Sequence, residues 1–136
     1  MDGAQQKVLL EWLLDYELKL AARFRYYVAL VYVKPKDEAG AKLKFEDFFQ
    51  RDKRDCDQYF QLEDRNAILM AHTSFEEARQ AIERYKKLCN GTFDLRYSIS
   101  LYPNSPTAEK MMETADRRLS MAIDSQYGAV VNSDLT

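Results

Sequence analysis

The charged run from Arg51 to Asp57, which reads RDKRDCD, contains side chains that could bind an anion or a base. An arginine fork can hold a phosphate bidentately or hydrogen-bond to the edge of a base, and an aspartate can accept hydrogen bonds from ring nitrogens. Arg54 and Asp57 stand in the spacing R-x-x-D. A run of this kind is more often a solvated charged surface at a helix end, so its position in the fold decides between the two interpretations.

The residues that follow this run carry the pattern of a β-hairpin. Two short apolar runs, Tyr59 to Leu62 and Ala67 to Ala71, flank the polar stretch Glu63-Asp64-Arg65-Asn66. This layout predicts two antiparallel strands joined by a turn, although the turn contains no glycine. The R-x-x-D run therefore directly precedes an expected strand.

The remaining elements are predicted from hydrophobic periodicity. A helix is expected from about Gln5 to Arg23, because apolar residues recur at three- and four-residue intervals: Val8, Leu9, Trp12, Leu13, Tyr16, Leu20 and Phe24. This helix either packs on the chain's own sheet or continues from an upstream domain. The apolar run Phe24 to Val33 predicts a strand buried on both faces and ended by Pro35. The other expected elements are a short helix around Leu43 to Arg51, a helix Phe75 to Leu88, a strand Leu95 to Tyr102, a helix Thr107 to Ile123 with Thr107 as its N-cap, and a tail 128–136 with a short strand AVV.

Composition indicates one globular domain over residues 1–136, with 46% hydrophobic and 31% charged residues. A net charge of −2 provides no global field for nucleic acid, so an anion site must be a local cluster. Cys56 and Cys89 match no disulfide framework or metal-site spacing, which favours free thiols in a reducing cytosol. No apolar run approaches the roughly 18 residues of a membrane span. We expect a cytoplasmic domain, either free or the soluble part of a membrane-attached protein.

Three segments in the second half of the chain, SFEEARQAIERYKKL, LRYSISLYP and TAEKMMETADRRLSMA, resemble the C-terminal half of GGDEF diguanylate cyclase domains. The resemblance extends loosely back to about Leu13. It implies an α/β fold, an α+β sandwich of the nucleotide cyclase-like type, in which a mixed sheet is flanked by helices. The order of predicted elements agrees with such a ferredoxin-like arrangement.

At the positions that a cyclase would need, this chain departs from the family. The metal-binding aspartate that ends the family's first strand corresponds to the stretch Tyr32-Val33-Lys34-Pro35-Lys36, which has two lysines and no carboxylate. The second metal ligand corresponds to Asp64 or Arg65, and the signature's paired glycines to Leu62 and Glu63 or to Glu63 and Asp64. Ala122-Ile123 replaces an Ala-Lys pair whose lysine meets the triphosphate. We therefore expect no enzyme activity, no metal site and no cofactor.

A second site of the family has a better match. Many GGDEF domains bind their product, cyclic di-GMP, at an R-x-x-D motif ahead of the signature, together with an arginine from the helix after the hairpin. Arg54 and Asp57 stand at the motif, and Arg84 in Ile82-Glu83-Arg84 stands at the place of the helical arginine. The resemblance thus implies a cyclic di-GMP site formed by Arg54, Asp57 and Arg84.

These observations leave two main functions open. The first is a catalytically inactive GGDEF domain that acts as a cyclic di-GMP receptor and signals to a protein partner, similar to the inactive GGDEF domain of the Pel exopolysaccharide system, with ligand-promoted homodimers as one outcome. The second is an interaction or dimerisation module that keeps the fold and binds no nucleotide. An active cyclase of altered chemistry is a third, disfavoured by the missing carboxylates.

Overall fold

The computed structural model describes residues 2–36, 57–89, 93–126 and 128–133. Three helices and five strands lie in these ranges. The helices are α1 (Gly3–Phe24), α2 (Phe75–Cys89) and α3 (Ala108–Ile123), and the strands are β1 (Val28–Pro35), β2 (Asp57–Gln61), β3 (Asn66–Ala71), β4 (Leu95–Tyr102) and β5 (Val130–Val131). The short helix expected around Leu43 to Arg51 falls outside the described residues.

The five strands form one mixed sheet in the order β2-β3-β1-β4-β5. β1 runs antiparallel to both of its neighbours, β3 and β4, and the short β5 runs parallel to β4. The predicted hairpin is confirmed, since β2 and β3 pair from Asp57↔Met70 to Gln61↔Asn66. The backbone N–H of Leu62 donates to the carbonyl oxygen of Arg65 at 2.8 Å and closes the turn. This is the α+β sandwich that the resemblance implied.

Strand β1 separates two hydrophobic cores. Val28, Leu30 and Tyr32 point to the side on which α1 and α3 pack, whereas the alternate residues of β1 point to the side of α2. Every residue from Val28 to Val33 is at most 1% exposed. The prediction of a strand buried on both faces is therefore confirmed, and the strand ends at Pro35 as expected.

The N-terminal helix differs from the prediction in its end and in its buried face. α1 continues to Phe24, and Arg25 caps it in the left-handed conformation (φ 58°), so β1 starts at Val28 and not at Phe24. The residues of α1 that reach the core are Leu10, Leu14, Leu18 and Ala21. The predicted stripe is largely exposed, with Val8, Trp12, Tyr16 and Phe24 at 60–69% exposure. Leu10, Leu14, Leu18 and Ala21 also recur at helical spacing, and periodicity cannot choose between two apolar faces of one helix.

The second half of the chain agrees closely with the prediction. β4 has the predicted bounds, and Thr107 caps α3 by accepting a hydrogen bond from the backbone N–H of Lys110 at 3.1 Å. α2 ends one residue later than expected, at Cys89, and the AVV segment supplies β5. Among the described residues, no helix is long and apolar enough to cross a membrane.

Candidate functional site

The β2–β3 turn, residues 62–65, lies beside the end of β1 because Val33 of β1 pairs with Asn66, the first residue of β3. This register places Lys34 next to the turn. Its ammonium nitrogen Nζ lies 3.4 Å from Oδ2 of Asp64. Lys34, from the stretch where the resemblance places one metal ligand, therefore forms an ion pair with Asp64, one of the two residues at which it places the other.

Arg65 connects the turn to α3. Its Nε and Nη2 donate to the two carboxylate oxygens of Asp64 at 2.8 and 2.9 Å, and its Nη1 donates to Asp116 of α3. The guanidinium also lies over the ring of Tyr32, 5.7 Å from the ring centroid. Hydrogen bonds from Arg65 hold the pKa of the Asp64 carboxyl well below its usual range. Ion pairs thus connect the turn to β1, through Lys34, and to α3, through Asp116.

A divalent cation does not fit these residues. Mg²⁺ requires oxygen ligands, and the group that faces Asp64 is the ammonium of Lys34. The oxygens of Asp64 already accept hydrogen bonds from two cationic side chains, Lys34 and Arg65. Within the part of the chain that the structure describes, no group of three or more His, Cys, Asp or Glu residues could hold a metal ion. Among the described residues at this end of the sheet, Lys34, Asp64 and Arg65 pair with one another and do not form an oxygen-donor set for a divalent cation.

The N-terminus of α1 packs directly on the turn. A Cβ atom added to Gly3 would lie 2.5 Å from the backbone nitrogen of Glu63, so only glycine permits this approach. Beside the contact is an open cleft of about 430 Å³, with Lys7 of α1, Tyr32 of β1 and Ser120 of α3 among its lining residues. The turn itself contains no glycine, and the glycine that permits close packing at the turn is Gly3 of α1.

The C-terminal end of α3, at Ala122 and Ile123, is held by a buried arginine of β4, Arg96. Nη1 of Arg96 donates to the backbone carbonyls of Ala122, Ile123 and Ser125 at 2.6, 3.2 and 2.7 Å. Asp94 holds the same guanidinium through two hydrogen bonds of 2.8 and 2.9 Å. The hydrogen bond from Arg96 lowers the pKa of the Asp94 carboxyl. Arg96 thus donates to backbone carbonyls at and just beyond the C-terminus of α3, where a cation is favourable.

The three predicted cyclic di-GMP residues lie in different settings. Arg54 falls outside the described residues. Asp57 is the first residue of β2 and is 2% exposed. It pairs with Met70, which packs in the core on the α2 side, so Asp57 points to that side of the sheet. Arg84 lies on the exposed surface of α2, which packs over β1 and β4. Asp57 and Arg84 therefore share one side of the sheet, on elements separated by roughly 10–15 Å at the usual strand spacing.

Several structurally important residues are not evident from the sequence alone. Gly3 and Asp116 act through partners far away along the chain, and their local sequence carries no motif. Lys34 is visible in the sequence as a lysine at an expected carboxylate position, but its pairing with Asp64 depends on the strand register. A signal was present only for Arg96, an ionisable residue within a buried strand pattern, which requires a partner.

Comparison with known proteins gives a consistent fold. No protein-family model matches the chain, and no curated protein is significantly similar to it. An active GGEEF domain of a diguanylate cyclase from Vibrio cholerae has a TM-score of 0.75 at 13% identity, over 93% of this chain and 96% of that one. The diguanylate cyclase SiaD from Pseudomonas aeruginosa, solved with its activator SiaC, has a TM-score of 0.78 at 14% identity, over 94% of this chain and 58% of that one.

A third similar structure contains a ligand. The GGDEF domain of DgcB from Caulobacter crescentus, in complex with cyclic di-GMP, has a TM-score of 0.68 at 9% identity, over 88% of this chain and 85% of that one. Together with the antiparallel β1, the β2–β3 hairpin and the two helical layers, these similarities show that the chain has the GGDEF-domain fold.

Proposed function

We propose that this chain is a catalytically inactive GGDEF domain that binds cyclic di-GMP through Arg54, Asp57 and Arg84 and passes the bound state to a protein partner. The observation that carries the proposal is the Lys34–Asp64 ion pair, at 3.4 Å, on a sheet that otherwise keeps the GGDEF fold. The pair removes the place for a catalytic cation and leaves the fold available for ligand recognition.

The loss of catalysis follows from electrostatics. A diguanylate cyclase has to bind metal and triphosphate, both at the end of β1 and at the hairpin turn. Here the cationic Lys34 and the guanidinium of Arg65 stand where a metal ion would need uncompensated carboxylates. The side chains of the turn also fill space that glycines would leave open.

The proposed ligand site uses chemistry that is separate from the turn. The guanidinium of Arg84 is on the exposed side of α2 and can hold a phosphate or the O6/N7 edge of guanine. Asp57 is buried on the same side of the sheet, and its carboxylate can accept hydrogen bonds from guanine nitrogens or orient an arginine. Arg54 precedes Asp57 by three residues and completes the R-x-x-D motif. The cyclic di-GMP complex of the similar DgcB domain supports this class of ligand.

A nucleotide-free interaction module is the second candidate. The observation that favours it is the exposed apolar side of α1, where Val8 and Trp12 are each 69% exposed. The complex of the similar SiaD with its activator SiaC also supports a protein partner. The two candidates differ in one property, which is the binding of cyclic di-GMP.

Amide chemical shifts of ¹⁵N-labelled protein during titration with cyclic di-GMP would locate the site. We expect the largest changes around residues 54–58 and in α2 near Arg84, with small changes in the turn, residues 62–65. A matched titration with GTP and Mg²⁺ should leave both regions unchanged. Shift changes centred on the turn, or no changes with cyclic di-GMP, would argue against the proposal.

A further inference from the structure

The exposed apolar side of α1 continues into a groove that reaches the start of α3. Val8, Trp12 and Tyr16 follow one another at four-residue spacing and are 69%, 69% and 60% exposed. Val8 and Trp12 also line a groove of about 440 Å³, whose opposite wall is formed by Thr107 and Ala108. Three large apolar side chains in a row on a surface helix exceed the scattered exposure that is normal for a soluble domain.

The charged residues that line this groove all have the same sign. They are Glu11 and Asp15 on α1 and Glu109 on α3. Asp15 forms a surface ion pair with Lys19 at 3.2 Å, in which both side chains are more than half exposed. Such a pair contributes only a few tenths of a kcal/mol, so a cation of a partner can compete for Asp15. The groove therefore combines an apolar floor with an acidic rim.

We infer that this groove, formed by α1 and the start of α3, is a docking site for a basic amphipathic helix of a partner protein. A row of side chains at four-residue spacing is the ridge that packs into the grooves of another helix. A partner helix with apolar anchors at i, i+3, i+4 and i+7 would cover Val8, Trp12 and Tyr16. Lysines or arginines beside its anchors would meet Glu11, Asp15 and Glu109.

The acidic rim argues against two other occupants of the groove, a second copy of this chain and an anionic membrane surface. In a two-fold dimer the same patch faces itself, which brings Glu11 and Asp15 of each copy toward an identical acidic rim. The exposed parts of the three apolar side chains amount to roughly 400 Å², about half of what one partner of a stable interface buries. An anionic membrane surface would repel the same carboxylates. This inference does not depend on cyclic di-GMP binding.

Trp12 provides a direct readout, because it is the single tryptophan of the chain. The probe is a helical peptide of 14 leucines and lysines in an amphipathic pattern, with no tryptophan, and its control has glutamate at each lysine. We expect the leucine–lysine peptide to shift the emission of Trp12 to shorter wavelength, and the leucine–glutamate peptide to bind at least tenfold more weakly. Raising NaCl from 50 to 500 mM should weaken the leucine–lysine complex severalfold.

Charge reversal tests the rim. The double variant Glu11→Lys and Glu109→Lys should bind the leucine–glutamate peptide more tightly than the leucine–lysine peptide. The matched control, Glu76→Lys and Glu83→Lys on α2, makes the same change in net charge on the other side of the sheet and should still prefer the leucine–lysine peptide. Equal affinity for both peptides, or equal loss in both double variants, would overturn the inference. A concentration-dependent emission shift without peptide, together with a doubled mass in sedimentation, would indicate a dimer and overturn the inference. An emission shift with anionic phosphatidylglycerol vesicles as large as that with the leucine–lysine peptide would indicate a membrane surface and also overturn it.

Discussion

The ammonium nitrogen of Lys34, near the end of β1, lies 3.4 Å from a carboxylate oxygen of Asp64 in the β2–β3 turn, although 30 residues separate them in the sequence. A cyclase would use two carboxylates and a bridging cation at this junction. Here one side chain supplies the positive charge itself, and Arg65 supplies a second. These ion pairs hold the strand end and the turn together.

The first prediction concerns catalysis. Purified protein should form no cyclic di-GMP from GTP with Mg²⁺ or Mn²⁺, because the Asp64 carboxylate is already paired with the cationic side chains of Lys34 and Arg65. Chromatography of the reaction products against a reaction without protein is the measurement. The active Vibrio cholerae domain is the positive control. Product above the background would contradict the inactive-domain account.

The second prediction concerns Arg96, which is 4% exposed and holds the end of α3. Arg96→Ala should lower the free energy of unfolding by about 3–5 kcal/mol, because it removes the buried cation that pairs with the Asp94 carboxylate and donates to three backbone carbonyls. Urea denaturation measures the change. Arg79→Ala, at an exposed position of α2, should change it by less than about 0.5 kcal/mol. A small effect at Arg96 would show that solvent replaces the lost hydrogen bonds.

The third prediction concerns acid stability. The folded pKa of Asp94 is lowered by Arg96, so the unfolded state binds the proton more readily. The stabilisation is fully present above the unfolded pKa of about 4 and is lost as the pH falls through the folded pKa. Stability measured between pH 6 and pH 2 should therefore fall less steeply in Asp94→Asn than in the unmodified protein. Arg96→Ala should flatten the same part of the curve, and an unchanged slope in both variants would refute the assignment.

The fourth prediction concerns Gly3. In an unobstructed helix Gly→Ala stabilises by up to about 1 kcal/mol. Here a Cβ would lie 2.5 Å from the Glu63 nitrogen, so we expect Gly3→Ala to destabilise the domain instead. Thermal or urea unfolding gives the sign. The matched change at the exposed Ala22, Ala22→Gly, should follow ordinary helix propensity, and a stabilising Gly3→Ala would mean that α1 does not press on the turn.

The fifth prediction concerns stoichiometry. Cyclic di-GMP is expected to bind as a stacked pair, two ligands per site, because Arg54 with Asp57 and Arg84 can hold opposite faces of the pair. If Arg84 reaches the ligand from a neighbouring molecule, ligand binding promotes dimers. Arg84→Ala then reduces both the number of ligands bound per chain and the mass of the ligand-bound species. Sedimentation velocity at saturating ligand measures both. One ligand per chain with no change in mass would exclude this arrangement.

The elements of the second half of the chain could be predicted from sequence because their signals are local. The β2–β3 hairpin, β4 and the Thr107 cap each depend on residues within a few positions of one another. The orientation of α1 could not be predicted in the same way. Trp12 and Leu14 both belong to apolar stripes at helical spacing, and only the packing against α3 and the sheet determines that Leu14 is buried.

The candidate site shows the same limit. The replacement of a carboxylate by Lys34 is visible in the sequence, whereas its pairing with Asp64 follows from the alignment of β1 with β3. The contact of Gly3 with Glu63 joins two elements whose packing no local pattern encodes. Long-range contacts of this kind depend on the whole sheet and not on the propensity of any one segment.

Calorimetric titration of cyclic di-GMP into the purified protein tests the central claim most directly. We predict binding in the micromolar range, about −8 kcal/mol, since several charge-assisted contacts contribute in a partly exposed site. Arg54→Ala and Arg84→Ala should each weaken it at least about tenfold, a loss of about 1.4 kcal/mol, while Arg79→Ala leaves it unchanged. No heat of binding from folded protein, or an affinity of Arg54→Ala and Arg84→Ala that is unchanged from the unmodified protein, would contradict the receptor account and favour the interaction module.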